Sequence, residues 1–161
     1  MAQALRETTP SDRATEIERT SAPVLLYDGR CGLCNRTVKT VLRYDRKTTL
    51  RFASLRSEFA RGVVRRHPEL ADQDTVVWFE PATASKPERV FVRSTAALRL
   101  ASYLGGFWRF FLIAWLIPRP VRDLFYRVIA RFRYRVFGQV EACTLGTPEV
   151  RRRFVDFEEP A

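Results

Sequence analysis

The chain has little cysteine: Cys31, Cys34 and Cys143 are the only three in 161 residues, far below the density of a secreted scaffold stapled by disulfides. Each cysteine is therefore read as chemistry or as packing. Histidine is scarcer, with His67 alone, so a structural zinc site would need Cys31, Cys34, His67 and Cys143 all to converge. Lysine is nearly absent too: Lys39, Lys47 and Lys86 stand beside 25 arginines, and the net charge is +10. An arginine-rich surface of this kind serves solubility as readily as an acidic partner. With 7 Gly, 9 Pro, 46% apolar and 12% aromatic residues, the sequence is neither disordered, collagen-like nor of low complexity. The opening stretch MAQALRETTPSDRATEIERTSAP has no apolar segment behind its charges, so no secretory signal is read and a reducing cytosol is the expected setting.

What is present reads as one domain with a proper core. Residues 1–22 form a polar, flexible N-terminal arm, 23–146 the domain, with a helical extension over 95–138, and 147–161 a charged C-terminal tail. Val24, Leu25, Leu26 and Tyr27 make a short buried strand that stops at Asp28-Gly29. From Cys34, apolar Val38, Val41 and Leu42 recur at helical spacing, with Arg36, Lys39 and Arg43 opposite. Leu50 to Leu55 reads as a second strand, and Ser57 caps a helix through Phe59, Val63 and Val64 that His67-Pro68 ends. Thr75 to Phe79 gives a third strand, with Val90 to Val92 as its hairpin partner. Ser94 or Thr95 caps a further helix, interrupted at Gly105-Gly106.

The sharpest chemical signal is Cys31-Gly32-Leu33-Cys34. Two thiols two residues apart at a helix start can close a disulfide across one tight turn. Free amide N–H groups and the positive end of the helix dipole favour a thiolate on Cys31, and Arg30 and Arg36 add charge of the same sign. Such settings lower a thiol pKa from ~8.5 toward roughly 3.5–7.5, so Cys31 is expected to be ionised at neutral pH. Cys31 is then the open, outer nucleophile and Cys34, one turn deeper, the resolving thiol. Haem attachment is closed because position 35 is Asn. Inert packing of both cysteines leaves the turn between them without a purpose. Asp28 can relay a proton during exchange or bond the N–H groups of its own turn, with the turn role favoured. Cys143 is either core or a third redox thiol, and His67 an exposed helix end.

The segment Tyr27-Asp28-Gly29-Arg30-Cys31-Gly32-Leu33-Cys34 resembles the DGxCxxC signature of the DCC family of thioredoxin-like thiol-disulfide oxidoreductases. Trp115 to Pro118, Arg122-Asp123, Tyr126, Arg133-Tyr134 and Cys143 are similar to that family's C-terminal pattern. The resemblance spans about Val24 to Leu145. It implies an α/β, thioredoxin-like sheet with flanking helices and Cys31 and Cys34 as the redox pair; with that pair, the expected substrate is a protein or small-molecule disulfide and no bound cofactor is needed. Asp72-Gln73-Asp74-Thr75 lacks the proline that thioredoxin-type enzymes carry before the third core strand. The resemblance thus assigns a reaction class rather than a substrate.

The last third is unusual. Leu100 to Ile117 is almost wholly apolar, but Arg109 interrupts it and Pro118 ends it. A spanning helix wants about 20 apolar residues and a central arginine costs ~2.5–3.5 kcal/mol, so spanning is not expected. After Pro120, Val121, Leu124, Phe125, Val128, Phe132 and Val136 fall on one helical face, among Arg122, Arg127, Arg131, Arg133 and Arg135. Between Tyr103 and Val140 seven arginines face one aspartate, 7 − 1 = +6 of the whole charge. The first reading is that these stripes cover the sheet; the second is contact with an anionic membrane or a membrane protein by a non-enzymatic adaptor; nucleic acid comes well behind, with no reader motif.

Overall fold

A computed structural model describes residues 22–71, 76–138 and 148–155. Cys143 and residues 1–21 lie outside them. Four strands form one sheet: β1 (Val24–Tyr27), β2 (Arg51–Ser54), β3 (Val77–Glu80) and β4 (Arg89–Val92), in the order β2-β1-β3-β4. β1 and β2 are parallel, while β3 runs antiparallel to both β1 and β4. Helix α1 (Gly32–Tyr44) is the crossover between the parallel strands, α2 (Glu58–Arg66) follows β2, and α3 (Arg93–Leu104) follows β4. This is the thioredoxin-like arrangement that the sequence implies.

Period-two alternation splits β1 between two cores. Leu25 and Tyr27 face α1 and α3, with Val38, Val41, Phe52, Trp78 and Leu100; both Cys31 and Cys34 belong to this core. Val24 and Leu26 face the other side, with Ala60 and Val63 of α2. Ser57 caps α2 as its sequence position suggests, its hydroxyl accepting from Ala60 N–H at 3.0 Å. The cap of α3 differs from the sequence reading. Val92 stands at that position without a side-chain cap, and Ser94 lies inside the helix, turned toward Asp123.

Part of the stretch that reads as a charged tail joins the sheet. Phe154 bridges to Phe52 and stacks on it at 5.1 Å, while Arg153 makes a buried ion pair with Asp45. Gly105, at φ 68°, ends α3 in a conformation costly for other residues. A 3₁₀ helix over Gly106–Leu116 follows, and then α4 (Arg119–Phe137), which packs on α1 and α3.

Helix α4 corrects the expectation that its apolar stripe covers the sheet. Val121, Leu124, Phe125, Val128, Phe132 and Val136 are all exposed, at 43–68%. The inward stripe is instead Arg122, Asp123, Tyr126, Ala130 and Arg133. Polar partners on the domain fix this orientation. Ser94 donates to Asp123 and accepts from Arg122 Nε at 3.0 Å, and Tyr134 donates to Asp28. Turning the apolar face inward would strip these groups of partners, at a cost of ~1–3 kcal/mol for each buried group left unpaired.

Candidate active site

The site is built at the junction of β1 and α1. Asp28 shapes the turn: its carboxylate accepts from Arg30 N–H at 3.0 Å, and its carbonyl accepts from Cys31 N–H at 3.1 Å. Asn35 Nδ2 closes the loop from the helix side by donating to the Gly29 carbonyl at 2.8 Å. Cys31 is the N-cap residue of α1, in extended conformation with no side-chain cap bond, and Cys34 lies in the first helical turn. A short buried strand delivered straight into a helix N-terminus therefore sets both sulfurs on the same turn. Both are free thiols.

The two thiols act on each other electrostatically. Burial pushes the Cys34 thiol up to about 12, and charge on Cys31 and the hydrogen bond to it act in the same direction. A backbone hydrogen bond from Asp28 and the charge of Arg133 pull the other way. Cys34 thus keeps its proton at neutral pH. The cation acting on the pair is Arg133, from α4, whose charge couples to both sulfurs. Arg30 is exposed, and Arg36 lies over the Phe137 ring at 5.5 Å.

Tyr126 completes the surroundings. Burial raises its hydroxyl to about 12, with the neighbouring Cys34 adding to the effect and a backbone hydrogen bond from Val76 opposing it. Val76 immediately precedes β3. The phenol of Tyr126 thus interacts with both the backbone before β3 and the buried sulfur.

One expectation is overturned. Cys31 is not open: it is 0% exposed, against 4% for Cys34. The end of α4 closes over the turn, with Gly32 N–H donating to the Gly138 carbonyl at 3.2 Å. A Cβ at Gly32 would lie 2.2 Å from the Phe137 carbonyl oxygen, so only glycine permits this approach. The same end is tied to the dithiol loop by Tyr134, which donates to Asp28, and by Arg133, 3.6 Å from the same carboxylate. Asp28 thus combines its turn role with a strap to α4.

Residues 25–139 match the profile of a family described as DCC1-like thiol-disulfide oxidoreductase. The chain belongs to the DCC1-like thiol-disulfide oxidoreductase family. Among its relatives, it is 35% identical over 133 residues to a Bacillus subtilis protein named "Uncharacterized protein YuxK", covering 82% of this chain and 93% of that one. It is 32% identical over 130 residues to "DCC family protein At1g52590, chloroplastic" of Arabidopsis thaliana, covering 80% of this chain and 72% of the other. No solved structure matches it. Membership in this DCC1-like family gives the chain a general thiol-disulfide redox function and implies a disulfide substrate.

The remaining candidates of the sequence lie apart. His67 bonds to Glu69 at 3.1 Å and Glu88 at 2.8 Å, away from the cysteines. No cluster of His, Cys, Asp or Glu able to hold a metal occurs among the described residues. As site residues, Arg133, Tyr134 and Tyr126 enter the sequence reading only through the family resemblance, although Arg133 also stands there among the arginines of the helical extension. The signal that marks them is the polar stripe Arg122, Asp123, Tyr126, Arg133, recurring at helical spacing opposite an apolar face.

Proposed function

We propose that the protein is a protein-disulfide reductase type of thiol-disulfide oxidoreductase in which Cys31 is the nucleophile and Cys34 the resolving thiol. The observation that carries this reading is the pairing at the mouth of α1, where two buried free thiols, Cys31 at the N-cap and Cys34 in the first turn, share the Arg133 charge. A helix N-terminus and a nearby cation both favour a thiolate.

In the first step the Cys31 thiolate attacks one sulfur of a substrate disulfide. A new S–S bond to Cys31 forms, the substrate S–S bond breaks, and the departing thiolate takes up a proton. In the second step Cys34 gives up its proton and attacks the Cys31 sulfur, closing the Cys31–Cys34 disulfide and releasing the second substrate thiol. The substrate gains two electrons from the dithiol and two protons, one from solvent in the first step and one released by Cys34 in the second. No bound cofactor enters either step.

Because Cys31 is covered, substrate entry requires the end of α4 to move off Gly32. The strap from Asp28 to Tyr134 and Arg133 is then the contact that opens. The test is catalysed reduction of a model disulfide. Wild-type protein accelerates it in the presence of a dithiol reductant, and Cys31→Ser abolishes the acceleration. Unchanged acceleration in Cys31→Ser would refute the assignment.

A further inference from the structure

We infer that the outward face of α4 and the preceding 3₁₀ helix form a docking surface for an anionic lipid bilayer, lying in the plane of its headgroups. This inference is independent of the redox reading, since it uses the face of α4 opposite to the one that covers the dithiol.

Besides Tyr134, fourteen large apolar side chains between residues 107 and 136 are exposed, among them Phe107 at 77%, Leu116 at 82% and Phe125 at 65%. Scattered apolar residues on a surface need no explanation, but a contiguous run of this size on adjacent elements marks an interaction site. The face is not a core awaiting a small rotation. Ser94, Asp123, Arg122, Asp28 and Tyr134 bond the opposite face to the domain.

The charge pattern selects the occupant. Arg109, Arg119, Arg127, Arg131 and Arg135 are exposed along the same segment. Its one carboxylate, Asp123, is turned inward to Ser94 and lies 3.7 Å from Arg119. A second copy of the chain would set these arginines against one another, whereas lipid phosphates receive guanidinium groups in paired hydrogen bonds. Outside the described residues the large apolar side chains are Met1, Leu5, Ile17, Val140, Leu145 and Phe157, against fourteen exposed. An interfacial rather than a spanning geometry follows, since no helix among the described residues is long and apolar enough to cross a membrane. Aromatic and aliphatic groups would enter the acyl boundary while the arginines reach the headgroups.

The experiment is flotation of the full chain with vesicles of phosphatidylcholine alone and with vesicles containing equal parts of phosphatidylglycerol. The expected result is flotation with the anionic vesicles only, weakened by salt and accompanied by a blue shift of tryptophan emission from Trp108 and Trp115. The triple variant Arg127→Gln/Arg131→Gln/Arg135→Gln should bind on the order of 100-fold more weakly, as three surface charges predict. The variant Leu124→Ser/Phe125→Ser/Ile129→Ser, checked for an unchanged circular dichroism spectrum, should lose flotation. Absence of flotation with anionic vesicles would overturn the inference. Equal flotation with neutral vesicles, or binding retained by both variants, would do so as well. A wild-type dimer that the serine variant dissociates would assign the face to a second copy instead.

Discussion

The Tyr134 hydroxyl donates to the Asp28 carboxylate, which ties the last turns of α4 to the loop that presents Cys31. The contact joins residues 106 positions apart, so the dithiol is covered by an element far from it in sequence. On the proposed mechanism, access to Cys31 is then an opening equilibrium rather than a fixed exposure.

Tyr134→Phe keeps the ring and removes the donor. We expect a stability loss of about 1 kcal/mol, because Tyr134 is partly exposed and solvent screens the bond. If opening gates access, the same change raises the rate of Cys31 alkylation about five-fold under native conditions. Mass spectrometry of alkylated peptides at timed intervals reads it; an unchanged rate would show that this bond does not hold the cover.

Gly32→Ala tests the close approach directly. The added Cβ meets the Phe137 carbonyl, a backbone atom that cannot swing aside. Overpacking of this kind costs ~1–3 kcal/mol, and the end of α4 should lift away. Expected outcomes are a lower urea midpoint and faster labelling of Cys31; a fully stable variant with wild-type labelling contradicts the packing described.

Arg133→Gln removes the charge that eases ionisation of the Cys34 sulfur. A cation stabilises the thiolate forms of the reduced pair, so its loss makes the dithiol a stronger reductant. The reduction potential should become more negative by on the order of 30 mV, the equivalent of about 1.4 kcal/mol. Equilibration against glutathione measures the shift; a more positive potential would exclude Arg133 as the stabilising cation.

Cys34 also sets a pH dependence. Its thiol is raised in the folded state from 9.0 to about 12, so folding favours the protonated form. The stability it contributes is complete below the unfolded value and is lost as pH rises through that window. Urea unfolding under reducing conditions should show a steeper alkaline loss between these values in wild type than in Cys34→Ala. Equal slopes would mean that Cys34 is not buried as described.

Much of this was legible in the residues themselves. Val24–Tyr27 announces a buried strand because four apolar residues precede Asp28-Gly29, and Ser57 announces its helix by its hydroxyl. The CxxC turn follows from the same local chemistry. Helix α4 shows where local reading stops. Its periodicity reveals two unlike faces, but which one meets the domain depends on Ser94 and Asp28, whose partners Asp123 and Tyr134 are distant in sequence. For the same reason the burial of Cys31 could not be read from its position at the helix start. Its cover is the backbone of Phe137 and Gly138, and the matching sign in the sequence, Gly32, reads equally well as part of any tight turn.

The division of labour between the two cysteines is tested most directly by trapping. Reduced Cys34→Ser and Cys31→Ser are each mixed with an excess of a small disulfide and analysed by peptide mass spectrometry. The account predicts a stable mixed disulfide on Cys31 in the first variant and little on Cys34 in the second. Adduct on Cys34 at an equal or greater rate, or none on Cys31, would contradict it.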